Sequence, residues 1–596
     1  MSIRIWTVFL LFTLSVWVAA QQQSSSVISE ILVRGNQRVL KEVILAQMRT
    51  KVGQPYIQET LEKDEQAIYD LGFFTAVDVR PTPLEGGNYR VTVDVAEYAE
   101  IKEIRIVGNS AVKTEEIMAV LTIKPGQVFN LKARQESTNA IRDLYSKKGF
   151  LLAGINEFGP LAESPGTINI DLVETKVSSV SVQGNTRTKD WVMKRLIKTR
   201  AGDTFNLTKW ANDLRRLYNT QWFETVNSVE DTGKELGKID LTAEVKEMKT
   251  GMFNVGLQLD PRSSFAGVIR LSEANLRGSG QSVGLNFIQA TRGGGPSLDL
   301  DYTNPFFDEK DTTMRVALYS RLVYRFSNAF GTSSGITSTD DFNERRTGGS
   351  IGFSRPVTDY FSLGLSFRYE GVKTNNIGSA TGDFIQQDGT VGVISLGGIL
   401  NRRDVDVDPS RGDWLRLDLE PGFANISKVG GALATQKQYE GRKSFLKTNF
   451  EYRRYWSPDP PRGRDLDAPR KVVAARIKLG NIAGTSPFFE QFFVGGSDSL
   501  RGYDEDRFWG NNAFIATLEY RHPVQKSFNV IGFVDYGGAW GGYGSVNNFT
   551  QSASPNFHVG YGVGLSFRTP LGPIRLDLGF DDRGKSRTHF LIGTSF

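Results

Sequence analysis

The stretch Ile104-Arg105-Ile106-Val107-Gly108-Asn109 is a short alternating strand that ends in a Gly-Asn pair. The pair also stands at Gly35-Asn36 and Gly184-Asn185, and intervals of about 75 residues are typical of a repeated domain. A second marker, a Gly followed three residues later by an aromatic ring, keeps the same interval: Gly53 to Tyr56, Gly126 to Phe129 and Gly202 to Phe205. Two markers in step predict three copies of one small domain in the first half of the chain.

Each copy is predicted to run strand, helix, helix, strand, strand. Gly108 permits a left-handed turn after the first strand, and the Asn, Ser or Thr that follows can cap the next helix. In the first copy Leu40, Val43, Ile44 and Met48 recur at helical spacing and are predicted to share one apolar face. The three predicted domains are 28–98, 99–177 and 178–247.

The second half of the chain has a different pattern. From Gly251 onward helical spacing disappears, and alternating strands separated by Gly, Asn, Asp and Pro replace it; Phe253 and Val255, for example, face away from Asn254. About sixteen strands of about ten residues are typical of an outer-membrane barrel. The predicted fold is α+β repeats followed by an all-β transmembrane barrel of about 16 antiparallel strands, the barrel occupying 248–596.

The first twenty residues, 1–20, are typical of a signal peptide. Arg4 supplies the positive start, an apolar run follows from Ile5 to Val18, and Val18-Ala19-Ala20 is a small-residue cleavage site. No later stretch approaches the length of a membrane-spanning apolar helix. A membrane location must therefore come from β-strands, whose backbone groups pair with one another.

Composition excludes several kinds of site. The chain has no cysteine, which excludes disulfides, thiolate metal sites and a cysteine nucleophile. The three histidines, His522, His558 and His589, lack metal-ligand spacing and are interpreted as ordinary strand or turn residues. A net charge of +5 gives no indication of nucleic-acid binding, and neither a Ser/His/Asp order nor a phosphate loop is present. We expect a protein that is not an enzyme and has no metal, cofactor or nucleic-acid partner.

Several motifs stand in the order of a known family. They are the turns Asn304-Pro305-Phe306-Phe307 and Pro409-Ser410-Arg411-Gly412, the lumen-loop pair Gly495-Gly496 and Leu500-Arg501-Gly502-Tyr503, the receiving strand Phe533–Trp540, and the C-terminal signal His589–Phe596. With these motifs the chain resembles the BamA-like superfamily of outer-membrane assembly and translocation proteins, whose repeats are called POTRA domains. The resemblance covers the mature chain, and three repeats are similar to the cyanobacterial and chloroplast branch.

The resemblance implies an assembly and insertion factor for outer-membrane β-barrel proteins. Its partners would be unfolded outer-membrane protein clients and the outer-membrane lipid, with periplasmic chaperones or accessory subunits also open. The barrel would lie in the cell outer membrane and the POTRA domains in the periplasm. A polypeptide-translocating secretion pore, TamA-like or of the two-partner type, stays open as the alternative. A passive porin is disfavoured because a porin needs no repeats.

The loop motif supplies the main candidate residues. The resemblance puts Leu500, Arg501, Gly502 and Tyr503 at the tip of a loop inside the barrel. An arginine held there is costly to desolvate unless carboxylates accept its planar fork of donors. Glu519 and Asp535 stand at matching motif positions and alternate with apolar neighbours, so both carboxylates are expected to point inward. The expected role of this cluster is structural support.

Two further sets of residues follow from the resemblance. A weak seam is expected between the first and last barrel strands, involving Phe253 and Val255 on one side and the C-terminal signal residues Phe590, Ile592 and Phe596 on the other.

Client-binding edges are expected on the second strand of a repeat, where a client strand can add to the sheet. The named residues are Phe74 and Val77 in the first repeat and Phe223 and Val226 in the third. The competing interpretation is that the repeats are spacers without a partner.

Overall fold

The computed structural model describes residues 26–232, 235–260, 264–290, 294–326, 342–376, 384–462, 468–546, 549–569 and 572–592. The predicted signal peptide at 1–20 and the C-terminal Phe596 lie outside these ranges. The first two repeats, with short segments of the third, form one compact unit, and most of the third repeat belongs with the barrel in another.

Each repeat runs strand, helix, helix, strand, strand, as predicted. The first comprises β1 (Ile28–Arg34), α1 (Lys41–Gln47), α2 (Gln58–Tyr69), β2 (Phe74–Pro83) and β3 (Tyr89–Glu97). The second comprises β4 (Glu103–Val107), α3 (Thr114–Val120), α4 (Leu131–Lys147), β5 (Leu152–Leu161) and β6 (Ser164–Glu174). The third comprises β7 (Lys176–Gln183), α5 (Asp190–Leu196), α6 (Leu207–Asn219), β8 (Phe223–Asp231) and β9 (Lys238–Glu247), and β7 begins two residues before the predicted boundary at 178. The last strand of each repeat is central, in the orders β1-β3-β2, β4-β6-β5 and β7-β9-β8.

The glycine of the repeated Gly-Asn pair is required by both conformation and space. Gly35, Gly108 and Gly184 have φ of 84°, 83° and 92°. A Cβ at these positions would stand 1.9, 1.9 and 2.0 Å from the carbonyl oxygens of Val95, Leu172 and Val245. The turn therefore lies directly against the central strand of its own sheet, which no side chain allows.

Neither the asparagine of the pair nor a Ser or Thr after it caps the following helix, contrary to the prediction, since α1, α3 and α5 begin after Leu40, Lys113 and Lys189 without a side-chain cap. The asparagine side-chain amide donates to a carbonyl three residues on: Asn36 to Val39, Asn109 to Val112 and Asn185 to Thr188. The asparagine side chain therefore stabilises the turn and not the N-terminus of the helix. The apolar face of α1 is also only partly buried, since Ile44 and Met48 lie in the core whereas Leu40 and Val43 are exposed.

In each repeat, a glutamate at the end of the central strand accepts hydrogen bonds from the backbone after the Gly-Asn pair. The sequence pattern did not suggest this feature. Glu97, Glu174 and Glu247 accept hydrogen bonds from the backbone N–H groups of residues 37–39, 110–111 and 186–188. Burial raises the pKa of Glu247, but the hydrogen bonds from residues 186–188 outweigh it and lower this pKa to about 2. The turn of the third repeat is thus held by an ionised carboxylate at neutral pH.

The barrel strands and the short elements between them follow in chain order. They are β10 (Gly251–Asp260), β11 (Ser264–Leu276), β12 (Gln281–Ala290), β13 (Ser297–Asn304), β14 (Thr313–Arg325), β15 (Phe342–Pro356), β16 (Phe361–Asn376), β17 (Ile385–Asn401), β18 (Gly412–Gly431), a 3-10 turn (Lys437–Tyr439), β19 (Gly441–Trp456), β20 (Val472–Gly484), a 3-10 turn (Phe488–Glu490), β21 (Phe492–Val494), β22 (Phe508–Gly510), β23 (Asn512–Gln525), β24 (Phe528–Trp540), β25 (Ser545–Val546), β26 (Phe549–Thr550), β27 (His558–Thr569), β28 (Gly572–Phe580) and β29 (Ser586–Ile592).

Sixteen of these strands form one antiparallel sheet, in chain order from β10 to β29, which confirms the predicted fold class. Side chains alternate across it as the strand period requires. Leu518 and Tyr520 are exposed while Glu519 between them is fully buried. The apolar side is the lipid face of the barrel and the polar side its lumen. No helix in the described part of the chain is long and apolar enough to cross a membrane.

Candidate functional site: the inward loop and the ends of the sheet

The segment between β20 and β23, residues 485–511 and here named the inward loop, is enclosed by the barrel sheet. Near its start, the Phe489 carbonyl accepts a hydrogen bond from Arg346 on β15. Further on, Gly502 donates its backbone N–H to His589 on β29, with a distance of 2.9 Å. Strands distant in one sheet therefore contact one segment, because the sheet curls around it as a barrel wall.

Arg501 lies at the tip of the inward loop and is almost fully buried. Its Nε and Nη2 stand 2.6 and 2.7 Å from the two carboxylate oxygens of Asp535, and its Nη1 stands 2.7 Å from Glu519. The guanidinium also lies over the ring of Phe533, 3.5 Å from its centroid. The structure therefore brings together the arginine and both carboxylates that the sequence singled out.

The cluster around Arg501 is larger than the sequence indicated. Asp577 on β28 is a third acceptor, 3.3 Å from Nη1 of Arg501. Arg575 and Arg521 share the Glu519 carboxylate with Arg501. Three arginines thus face three carboxylates in the lumen wall, and this balance offsets the cost of burying so many charges. Since Arg575 and Asp577 stand outside the quoted motifs, only their alternation along β28 could have suggested them.

The residues beside Arg501 fit the loop tip closely against the wall. Gly502 has φ of 96°, and a Cβ there would stand 2.5 Å from the backbone of Phe580. Tyr503 is buried and its hydroxyl donates to the Val559 carbonyl at 3.1 Å, while Leu500 is fully buried. His589, interpreted from the sequence as an ordinary strand residue, accepts the Gly502 N–H and is part of this site.

A second anchor holds the start of the inward loop, and sequence reasoning missed it. The buried carboxylate of Glu490 stands 2.9 Å from Arg368, 3.8 Å from Arg346 and 3.7 Å from Lys447. Arg368, Arg346 and Lys447 lie on β16, β15 and β19, respectively. The partners of Arg501 lie instead on β23, β24 and β28, further along the barrel sheet. Glu490 thus fixes the loop by charge as well as by shape, while Glu370 on the wall pairs with the same two arginines.

An apolar cluster surrounds the same part of the inward loop. Phe488, Phe489 and Trp509 from the loop pack with Phe342 in the buried core of the barrel. The Tyr543 hydroxyl donates to the Ser486 carbonyl at 3.0 Å. The cluster fills the lumen at the end of the barrel away from the third repeat's contacts. A cavity of about 530 Å³ remains beside it, lined by residues of β13 to β18.

The third repeat is attached to the turns at one end of the barrel. Asp311, in the turn between β13 and β14, accepts from Arg195 at 2.9 Å and from Lys198 at 2.6 Å. The Trp222 indole N–H donates to the Ala274 carbonyl at 2.9 Å. These contacts identify the inner rim of the barrel, on the side of the third repeat.

The two ends of the sheet, β10 and β29, are the predicted seam. Among the described residues no backbone ladder joins them, whereas every other neighbouring pair of barrel strands is laddered. Phe253 and Val255 on β10 are 69% and 66% exposed, facing outward. Phe590 alternates with the lumen-facing His589 and is half-buried, and β29 extends to Ile592. Phe596 lies outside the described residues.

The predicted client-binding strands β2 and β8 each lie at an edge of their sheet. Phe74, Phe223 and Val226 are buried in the repeats, and Val77 is half-buried. Their side chains therefore stabilise the domain core. Client binding at these strands stays a prediction, and it would depend on the backbone of the edge.

The fold and the site define a class, an outer-membrane β-barrel with an inward-folded, arginine-anchored loop that is preceded by POTRA repeats. The Omp85 superfamily domain matches residues 275–596, and the family of surface antigen variable number repeats, or POTRA, matches 26–98, 99–174 and 175–248. The chain belongs to the Omp85 superfamily, with three POTRA domains as in the cyanobacterial and chloroplast branch. The barrel accordingly lies in the outer membrane and the POTRA domains lie in the periplasm.

Individual relatives agree with this assignment. The outer membrane protein assembly factor BamA of Nitratidesulfovibrio vulgaris is 25% identical over 512 residues, which cover 79% of this chain and 58% of the relative. The chloroplastic outer envelope protein 80 of Arabidopsis thaliana is 21% identical over 615 residues, covering 97% of this chain and 79% of the relative. Among solved structures, CdiB from Escherichia coli has a TM-score of 0.53 at 13% identity, covering 92% of this chain and 96% of that one, a likeness of fold.

Proposed function

We propose that this protein assembles and inserts other β-barrel proteins into the outer membrane, without catalysing a reaction. The observation that carries the proposal is the end of the barrel sheet, where β10 and β29 share no ladder among the described residues. A client strand arriving with unpaired backbone groups cannot enter hydrocarbon without a partner. An unpaired edge offers that partner by β-augmentation.

The inward loop supports a lateral route for the client. The Arg501 cluster ties the loop to β23, β24 and β28, close to the β29 end of the sheet. The Glu490 anchor ties the same loop to β15, β16 and β19. We infer that the loop holds the wall in shape while the seam between β10 and β29 opens.

The POTRA domains would receive the clients before the seam does. The open edges of β2 and β8 can each take one more antiparallel strand, and the periplasmic location brings them to unfolded outer-membrane proteins. Periplasmic chaperones or accessory subunits would act at the same stage. The name of the relative BamA, an assembly factor, agrees with this role.

The experiment that tests the proposal locks the seam. The chain has no cysteine, so pairs can be introduced one in Gly251–Leu259 and one in Thr588–Ile592 without interference. The full-length protein in lipid vesicles should insert an unfolded outer-membrane protein when reduced and stop when oxidised. The matched control is Val255→Cys with Ile269→Cys, which are partners within the β10–β11 ladder and leave the seam free. Full insertion by the locked seam variant would reject the lateral route.

A polypeptide-secreting pore is the second candidate, and the fold shared with CdiB is the observation that favours it. The two candidates predict different results on depletion of the protein in its native cell. An insertase would be followed by loss of many outer-membrane proteins. A secretion pore would be followed by loss of one secreted product.

A further inference from the structure

Two basic side chains on the barrel wall face lipid near the outer rim, the rim away from the third repeat. Glu344 and Arg346 on β15, like Glu370 on β16, face the lumen, where Arg346 pairs with both carboxylates. Strand alternation therefore turns Arg345 and Lys373 to the outside. The described exposed residues Ile351 and Tyr369 lie on the same outward side of these two strands.

Arg345 and Lys373 are direct cross-strand partners in the β15–β16 ladder. Like charges at directly opposed positions are destabilising unless something neutralises them. In the described part of the chain Lys373 has neither a hydrogen bond nor an ion pair. Arg345 is half-buried and donates to the carbonyls of Pro296, at 2.9 Å, and of Gly294, but to no carboxylate. The pair is therefore a concentrated positive charge that forms no ion pair with the described side chains.

Among the described residues, one carboxylate of the neighbouring strand stands close to this pair, and it is already engaged. Asp388 on β17 accepts the backbone N–H of Thr374 at 2.7 Å and the side-chain amide of Gln386 at 2.9 Å. It stands beyond ion-pair distance of Lys373. These hydrogen bonds hold its two oxygens to the backbone of Thr374 and the amide of Gln386, so it forms no ion pair with either cation in the described part of the chain.

The inner rim shows the opposite arrangement. Arg355, the outward residue at the other end of β15, is paired with Asp308. Arg454, at the corresponding end of β19, stands 3.5 Å from Asp413. These outward cations at the periplasmic end have protein partners, whereas the Arg345–Lys373 pair at the outer end does not.

The height of the pair matches the lipid headgroups. Leu363 is an exposed apolar residue near the start of β16, and Lys373 follows ten residues later. Ten residues span about 33 Å along a strand, or about 25 Å across the membrane at a tilt of about 40°. This is the height of the apolar band of an outer-membrane barrel, so Lys373 stands where hydrocarbon gives way to headgroups.

Two hydroxyls complete the surface. Ser320 on β14 accepts from Nη1 of Arg345 at 3.1 Å, and its oxygen stands 3.0 Å from that of Thr347, an outward residue of β15. Two cations and two hydroxyls next to an apolar wall suit a group that carries negative oxygens and acyl chains. We propose that Arg345 and Lys373, with Ser320 and Thr347, bind a phosphate group in the headgroup of an outer-leaflet lipid.

The test measures lipid retention by the folded full-length protein. Native mass spectrometry from dodecylmaltoside micelles would compare the wild type with Arg345→Gln, Lys373→Gln and the double variant, with short-chain phosphatidic acid as the probe. Each single change should weaken binding about fivefold and the double change about 25-fold, as expected for about 1 kcal/mol per cation at a membrane surface. Arg355→Gln, which removes a paired cation at the inner rim, is the matched control and should leave binding unchanged.

A charge-reversal variant and two competing probes distinguish a lipid site from misfolding and from a site for free anions. Lys373→Glu supplies Arg345 with a protein partner, so it should abolish phosphatidic acid binding while the barrel resists heat at least as well as the wild type, which excludes misfolding as the cause. Phosphatidylcholine should not replace the probe. Equal retention by the wild type and the double variant would overturn the proposal. Displacement of the lipid by an equal concentration of inorganic phosphate would overturn the lipid assignment and leave a site for free anions.

Discussion

Arg501 and Asp535 meet through a two-pronged ion pair, with nitrogen–oxygen distances of 2.6 and 2.7 Å to the two oxygens of one carboxylate. Asp535 also accepts the backbone N–H of Arg501 at 3.1 Å, so it fixes both the side chain and the main chain of the loop tip. Such a forked geometry is available to arginine and not to lysine.

Arg501→Ala and Asp535→Ala should each release the loop tip, because either change breaks the two-pronged ion pair and upsets the balance of buried charge, at a cost of about 3–5 kcal/mol. Arg501→Lys should rescue only partly, since lysine lacks the fork. Protease accessibility of the inward loop and the rate of client insertion are the measurements. The double variant should be little worse than either single one. Additive losses would mean that the two residues act separately.

Glu490→Gln should loosen the start of the inward loop while leaving its tip in place. The change removes the loop's own charge from Arg346, Arg368 and Lys447, so the start of the loop loses its ion pairs with the wall. Both arginines keep Glu370 of the wall as a partner, so the wall itself should stay in place. Proteolysis near residues 485–494 should increase, with the 500–503 tip still protected. Glu505→Gln is a control within the same loop, since Glu505 bonds to Ser497 of the loop itself. Simultaneous exposure of both ends would contradict two independent anchors.

The three repeats should fold without the barrel. A fragment of residues 28–247 contains all three sheets and their cores, so we expect a soluble, monomeric α+β protein. Circular dichroism and size-exclusion chromatography provide the measurement. An insoluble product, or one without helical signal, would place the boundary elsewhere.

Glu247→Gln should destabilise the third repeat in a pH-dependent way. The folded-state pKa of Glu247 is lowered to about 2, below its unfolded value, so its stabilisation is present above about pH 4.3 and is lost as the pH falls through 2. Urea unfolding of the 28–247 fragment should show a difference from the wild type at pH 7 that shrinks below pH 4. A constant difference between pH 7 and pH 2.5 would assign the effect to shape and not to charge.

Gly108→Ala should destabilise the second repeat more than Gly126→Ala. Both glycines have a positive φ, which costs an L-residue about 1–2 kcal/mol. Only at Gly108 would the new Cβ also meet a carbonyl oxygen, that of Leu172, whereas nothing lies within 4 Å of a Cβ at Gly126. Hydrogen exchange of β4 and β6 in the full-length protein is the measurement, and equal effects of the two changes would reject the close contact as the cause.

Local sequence patterns predict much of this fold. The repeat interval and its Gly-Asn turn predict three similar domains, because the positive φ and the close carbonyl can be met only by glycine. Period-two alternation predicts the sixteen-stranded sheet and turns Glu519 and Asp535 to the inside. These features depend on residues that are neighbours in the chain, so the amino-acid sequence by itself determined them.

Contacts between distant residues were decided only by the tertiary structure. Asp577 and His589 join the Arg501 site, and Glu490 meets Arg346, because the closed sheet brings strands far apart in sequence around one loop. The two-residue alternation along a strand does not show which lumen-facing charges will lie opposite one another across a barrel. Alternation likewise assigns Lys373 to the lipid side, but its position directly opposite Arg345 follows from the register of β15 and β16, which only the assembled sheet defines.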